Sequence, residues 1–179
     1  MRRSVLLVAA ACAALAAAAP VLSMGAPNKW DNIQTGLTYR LYHPTNTLHQ
    51  KRNSLKTISC GKGKEPWVAA TYGTYKGVLN TKTKGFGLYE GHPICANAGT
   101  SSPIKAPTIK GSKGKVYAGV YCNANRTCTK RQGYGKGFTV QWTMARSGVY
   151  HKDTQMQVDS AHMRWKQLVR FIHSLKPVG

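Results

Sequence analysis

Acidic residues are scarce in this chain. Asp31, Glu65, Glu90, Asp153 and Asp159 stand against 26 Lys and Arg, and the formal charge at pH 7 is +21. A glycosidase needs two carboxylates facing each other across a sugar, and the two glutamates, Glu65 and Glu90, each read as ordinary surface residues. Carboxylate-rich metal sites are excluded on the same ground, and no His-x-x-x-His pair supplies ligands from one helix face. The Gly-x-Ser-x-Gly nucleophile elbow is missing, as is any Cys-x-x-Cys knuckle. Gly85-Phe-Gly87 and Gly133-Tyr-Gly-Lys-Gly137 lie between strand candidates, so they read as tight turns; a phosphate cradle would open a helix. No metal or cofactor is expected, and no residue is assigned a catalytic role.

Long apolar runs are also lacking, with one exception. Val5 to Ala19 is rich in Ala and Leu and follows the positive Met1-Arg-Arg-Ser segment. This is the pattern of a secretory signal peptide over residues 1–25, cleaved between 18 and 25. It falls short of the roughly 20 apolar residues that span a bilayer. Residues 26–179 then form one exported domain. Loss of Arg2 and Arg3 with the leader lowers the charge by only two, and a protein so basic attracts polyanions.

Four cysteines remain after such processing: Cys60, Cys95, Cys122 and Cys128. An even number in an exported domain reads as two disulfides rather than a zinc site. Three connectivities are open. The turn-rich loop Cys122-Asn-Ala-Asn-Arg-Thr-Cys128 favours a local bridge, which leaves Cys60–Cys95.

Most of the chain alternates with period two. Strands are expected over Leu37–Pro44, Leu55–Cys60, Trp67–Tyr75, Lys115–Cys122 and Gly137–Thr143; a Lys/Thr turn precedes Phe86–Glu90, and Met156–Val158 leads to the terminal helix. Residues 101–114, punctuated by Pro103, Pro107, Gly111 and Gly114, read as a long exposed, flexible loop. The last stretch reads as an amphipathic helix. Trp165, Leu168, Val169, Ile172 and Leu175 recur at spacings of three and four, Asp159 or Ser160 caps the start, and Pro177 ends it. Strands first and a helix last give an α+β class: an antiparallel, strongly twisted sheet covered by a C-terminal amphipathic helix.

Two stretches carry a resemblance. Phe138-Thr-Val-Gln-Trp-Thr143, a turn with Tyr150 and a helix ending Ser174-Leu-Lys-Pro-Val178 are similar to the end of many actinobacterial exported domains of unknown function. Tyr39-Arg-Leu-Tyr-His-Pro-Thr45 resembles the first strand of the same LolA-like or PsbP-like group. The resemblance implies a curved antiparallel sheet covered by helices, with a pocket or a partner-binding surface, and it brings no catalytic residues.

Binding is therefore the expected role. Lys105, Lys110, Lys113, Lys115, Lys130, Arg131 and Lys136 are the candidate polyanion-binding residues. In Arg131-Gln-Gly-Tyr-Gly-Lys136 and in Tyr72 to Lys76, aromatic rings alternate with cations and could stack on a sugar chain. The expected partners are anionic envelope or extracellular polymers, or a membrane surface; no specific nucleic-acid motif is present. A module binding a hydrophobic ligand or a protein between sheet and helix is the first alternative. A secreted basic nuclease or toxin using two of His43, His92 and His151 is the second.

Overall fold

The structure is a computed structural model that describes residues 28–77, 82–95, 101–121 and 137–179. The leader and the Cys122–Cys128 pair lie outside the described residues, as do Lys130, Arg131 and Lys136. The chain is mostly antiparallel sheet, with one short helix near its C-terminus. Its elements are α1 (Lys29–Gln34), β1 (Tyr42–Pro44), β2 (Arg52–Ile58), β3 (Trp67–Gly73), β4 (Gly85–Gly91), β5 (Ser101–Pro103), β6 (Ser112–Tyr121), β7 (Phe138–Met144), β8 (Thr154–Ala161), α2 (Trp165–His173) and β9 (Leu175–Pro177).

The main sheet has seven strands in the order β2-β3-β4-β8-β7-β6-β5. Two meanders compose it, β2-β3-β4 and β5-β6-β7-β8, and the β4–β8 pairing joins them. Every neighbouring pair is antiparallel. The edge strand β2 exposes Arg52 and Lys56, with Lys51 just before it. Charges at that position discourage pairing with another chain.

Alternation divides the sheet into two faces. On one lie Ala70, Leu88, Val158, Val140 and Ala118 in a single cross-strand row, flanked by rows containing Phe86 and Phe138 and containing Val68, Met156 and Trp142. These residues are buried and form the core under α2. Phe171 of α2 stacks on Phe86 at 4.4 Å and meets the edge of Tyr72 at 5.3 Å.

The helix is shorter than its sequence suggests. Asp159 and Ser160, expected to cap it, belong to β8, because Gln155-Met-Gln-Val-Asp-Ser160 alternates and finds partners on both sides. His162 takes a positive φ of 51°, which turns the chain out of the sheet. The helix then starts after Arg164, whose backbone N–H donates to the Gln167 side chain at 2.9 Å. Leu175 leaves the helix to pair with Pro44 in the small β1–β9 sheet. The buried stripe is thus Leu168, Phe171 and Ile172, with Trp165 and Val169 half-buried.

The first expected strand also shrinks. From Leu37–Pro44 only Tyr42–Pro44 is a strand, and Tyr39 makes an isolated bridge to Lys152. A side chain takes the place of a neighbouring strand here: the buried Gln34 amide donates to Tyr39 O at 3.0 Å and accepts from Leu41 N at 2.6 Å. Residues 101–114 are not loop throughout. They begin with β5 and end in the first turn of β6, leaving 104–111 as a strap. Ile104, Ala106 and Ile109 of the strap pack on the core, and Ile104 N donates to Ala118 O.

The expected Cys60–Cys95 disulfide is present, with Cα atoms 5.7 Å apart. It ties the exit of β2 to the exit of β4 across a sequence separation of 35. Closing a loop of that length is worth about 3–4 kcal/mol by chain entropy. The Cys60→Ser/Cys95→Ser variant should lose stability on that scale in urea denaturation. Phe171→Ala should cost about 3–5 kcal/mol, whereas Val169→Ala on the helix flank should cost about 1 kcal/mol or less. Equal losses at the two positions would mean that α2 presents a different face to the sheet.

Candidate functional site

The other face of the sheet is polar. One cross-strand row carries Thr71, Gly87, Asp159 and Thr139; the next carries Ala69, Tyr89, Gln157, Gln141 and Tyr117; a third carries Trp67, Gly91, Gln155 and Thr143. The alternation that buries Met156 and Val158 on the core side turns these groups outward.

Glycines let the aromatic rings lie down on this face. A Cβ at Gly87 would sit 2.6 Å from Tyr75 Cε1 and 2.7 Å from Tyr89 Oη, so only glycine leaves room for both rings. Gly119 plays the same part beneath Ser101 and the Tyr117 hydroxyl. The hydroxyls of Ser101 and Tyr117 are 2.8 Å apart.

Asp159 is the polar centre of the face. Gln141 Nε2 donates to Gln157 Oε1 at 3.1 Å, and Gln157 Nε2 donates to Asp159 Oδ2 at 3.0 Å. From the other side Tyr89 Oη donates to Tyr75 Oη, which donates to the same Oδ2 at 3.4 Å. The carboxylate is 5% exposed. Burial pushes it up to about 6, against the Gln157 and Tyr75 hydrogen bonds that favour its charged form. Burial, and then the Asp159 charge, push the Tyr75 phenol far above its ordinary value, so it stays a donor.

Beyond Gln157 the face opens into a cleft of about 340 Å³. Lys115, Tyr117, Gln141, Thr143 and Gln155 line it, with Ile94 at its side. Gln155 accepts from Ile94 N at 3.1 Å, which anchors the segment leading to the disulfide. Amides, hydroxyls and one cation can bind a hydroxylated anionic chain. One buried carboxylate without an opposing partner does not constitute a hydrolytic pair.

The remaining carboxylates are also engaged. Asp31 accepts from Asn28 N in a capping box. Glu65 accepts from the Thr38 backbone and hydroxyl and pairs with Lys152 at 2.9 Å. Burial raises Glu65, but these bonds outweigh it and hold the carboxyl below its ordinary value. Glu90 is fully buried on the core side and accepts from Tyr42 N at 2.6 Å. Burial holds it well above the ordinary carboxylate range. Asp153 pairs with Lys113 at 2.7 Å and accepts from Arg146 N, and both lower it.

The candidate polyanion-binding lysines divide between the two sides of the sheet. Lys115 lines the outer cleft, Lys113 is engaged with Asp153, and Lys110 belongs to the strap beside α2, with Lys105 exposed on the same strap. Tyr72 and Tyr75 cannot stack on a ligand, since they are 2% and 3% exposed, one in the core and the other over Gly87.

The histidines do not share partners. The ring of His92 donates to Asp153 O, that of His162 to Thr83 O and that of His173 to Thr108 O, while His43 lies 6.4 Å from the Trp30 ring. Among the described residues no three His, Cys, Asp or Glu side chains group as a metal site, and no helix is long and apolar enough to cross a membrane.

Reading Asp159 as a helix cap hides the polar face in the sequence. Its signal was available in the period-two runs Thr139, Gln141, Thr143 and Gln155, Gln157, Asp159. No protein family, curated protein or solved structure matches the chain.

Asp159 makes the fold sensitive to pH with a definite sign. Its folded value lies above the ordinary 3.8, so the folded state holds the proton more tightly. Its contribution to stability is therefore lost as pH rises from about 4 through about 6. Asp159→Asn keeps the acceptor for Gln157 and Tyr75 and turns an amide toward Thr139, its register partner on β7. Urea denaturation from pH 4 to pH 8 should show a flatter profile for Asp159→Asn. At pH 8 the variant should be the more stable by on the order of 2–3 kcal/mol. A profile parallel to that of the wild type would rule out this role for the carboxyl.

Proposed function

We propose that this chain is an exported, strongly basic, non-enzymatic domain that associates with anionic polymers of a cell envelope or extracellular matrix. The observation that carries the reading is the use made of its acids. Each of the five carboxylates is engaged in a cap, a buried bond or an ion pair. Without Arg2 and Arg3 of the leader the formal charge of the exported domain is +19, so few acids offset the cations that meet solvent.

The outer cleft supports the finer part of the proposal. Lys115 can pair with an anionic group of the polymer while Gln141, Gln155 and Tyr117 meet its hydroxyls. A sugar-acid chain or a polyol phosphate has both kinds of group. Lys105 and Lys110 on the other side of the sheet, with Lys130, Arg131 and Lys136, add to the overall charge that attracts the polymer. Export belongs to the same proposal; the leader supports it, and the Cys60–Cys95 disulfide fits an oxidising compartment. A second bridge between Cys122 and Cys128 and kinship with the LolA-like or PsbP-like exported domains are further parts of the proposal.

Polymer binding of this kind is dominated by charge and must weaken with salt. Retention on anionic and neutral resins, and binding to purified cell wall, would be measured over a salt series. Binding should fall steeply with salt, and Lys105→Ala/Lys110→Ala/Lys115→Ala should show a shallower dependence than the wild type. Binding that is absent, or that ignores salt, would overturn the proposal.

A further inference from the structure

A second cavity lies on the core side of the sheet, where the strap 104–111 crosses the end of α2 and the small β1–β9 sheet. It measures about 480 Å³, within the rough range of 300–1,000 Å³ typical of small-ligand sites. Its composition is graded. Trp142, Met156, Ile172 and Tyr42 form a buried apolar floor, and Ile109, Met144 and Leu175 make half-buried walls. Lys110, His173 and Lys176 stand exposed at the rim. His173 donates to Thr108 O at 3.0 Å and so fixes the strap against the helix, which keeps the two sides of the opening together.

Charge selects the occupant. No carboxylate lines this cavity. Glu90, which pairs in register with Met156 of the floor, is bonded to Tyr42 N, and burial disfavours its charged form. An apolar floor beneath a rim that carries Lys110 and Lys176 and no carboxylate matches a molecule with a long apolar tail and an anionic head.

We propose that this cavity binds a long-chain carboxylate, with the acyl chain over Trp142, Met156 and Ile172 and the carboxylate between Lys110 and Lys176. The inference goes beyond the polymer reading: the two share Lys110 but rest on opposite faces of the sheet, and the comparison of palmitate with hexadecanol separates them. It gives the lysine-bearing strap a second task, as one wall of a binding site.

Binding of palmitate and of hexadecanol to the full chain would be measured by titration below their aggregation concentrations, with dibrominated stearate as a tryptophan quencher. Palmitate should bind more tightly than the neutral alcohol. Lys110→Glu/Lys176→Glu, which alters only exposed side chains, should weaken palmitate at least tenfold and leave hexadecanol within about twofold. Met144→Phe keeps the net charge but fills the cavity, and it should weaken both ligands. Quenching by dibrominated stearate should be smaller in Trp142→Phe than in the wild type. Absence of palmitate binding would overturn the proposal. So would equal palmitate affinity in wild type, the charge-reversal variant and Met144→Phe, since that pattern marks general attraction to a basic surface.

Discussion

The pairing of β4 with β8, from Gly85–Ala161 to Gly91–Gln155, joins two meanders that could not bury their apolar faces separately. Each meander carries half of the core: Val68, Ala70, Phe86 and Leu88 on one side of the joint, Phe138, Val140, Met156 and Val158 on the other. Only when the strands meet is there a continuous surface for α2 to cover. The same register sets Asp159 against Gly87 and Glu90 against Met156, which sends one acid to the polar face and the other into the core. A slip of one residue would exchange the faces and bury the glutamines, a cost far above the margin by which a domain is stable.

The use of the five acids follows from that frame. In a chain this basic, a carboxylate is valuable as an acceptor for backbone N–H groups that have no strand beside them. Glu65 serves Thr38, Glu90 serves Tyr42 and Asp153 serves Arg146. These three contacts hold the irregular segments around β1 and the turn before β8. The surface is basic because 26 Lys and Arg face only five acids, two of which, Glu90 and Asp159, are buried, and Lys113 and Lys152 are paired with two of the others.

Much of the architecture was legible in the sequence, because a half-buried strand writes its two environments into alternate residues. Val116 to Tyr121 and Phe138 to Trp142 show this directly, and the strands found there agree to within a few residues. The Cys60–Cys95 pairing followed from loop chemistry at the other two cysteines. Where the reading failed, two periods competed in one stretch. Asp159-Ser-Ala161 precedes a helical stripe and looks like a cap, yet β4 and β7 offer two hydrogen-bonding edges that a cap does not. Leu175 fits the helical spacing, but the last residues are taken by β1 instead.

By itself the sequence determined the basic surface, the scarcity of carboxylate chemistry, the α+β class and the identity of most core residues, since these depend on composition and short-range periodicity. Tertiary structure alone decided which acids are buried, that the glutamines of β7 and β8 and the tyrosines around them form one face, and that the strap closes a cavity against α2. Those outcomes depend on which strands are neighbours. Asp159 meets Tyr75 across 84 residues of chain, and His173 meets Thr108 across 65, and no local pattern encodes such contacts.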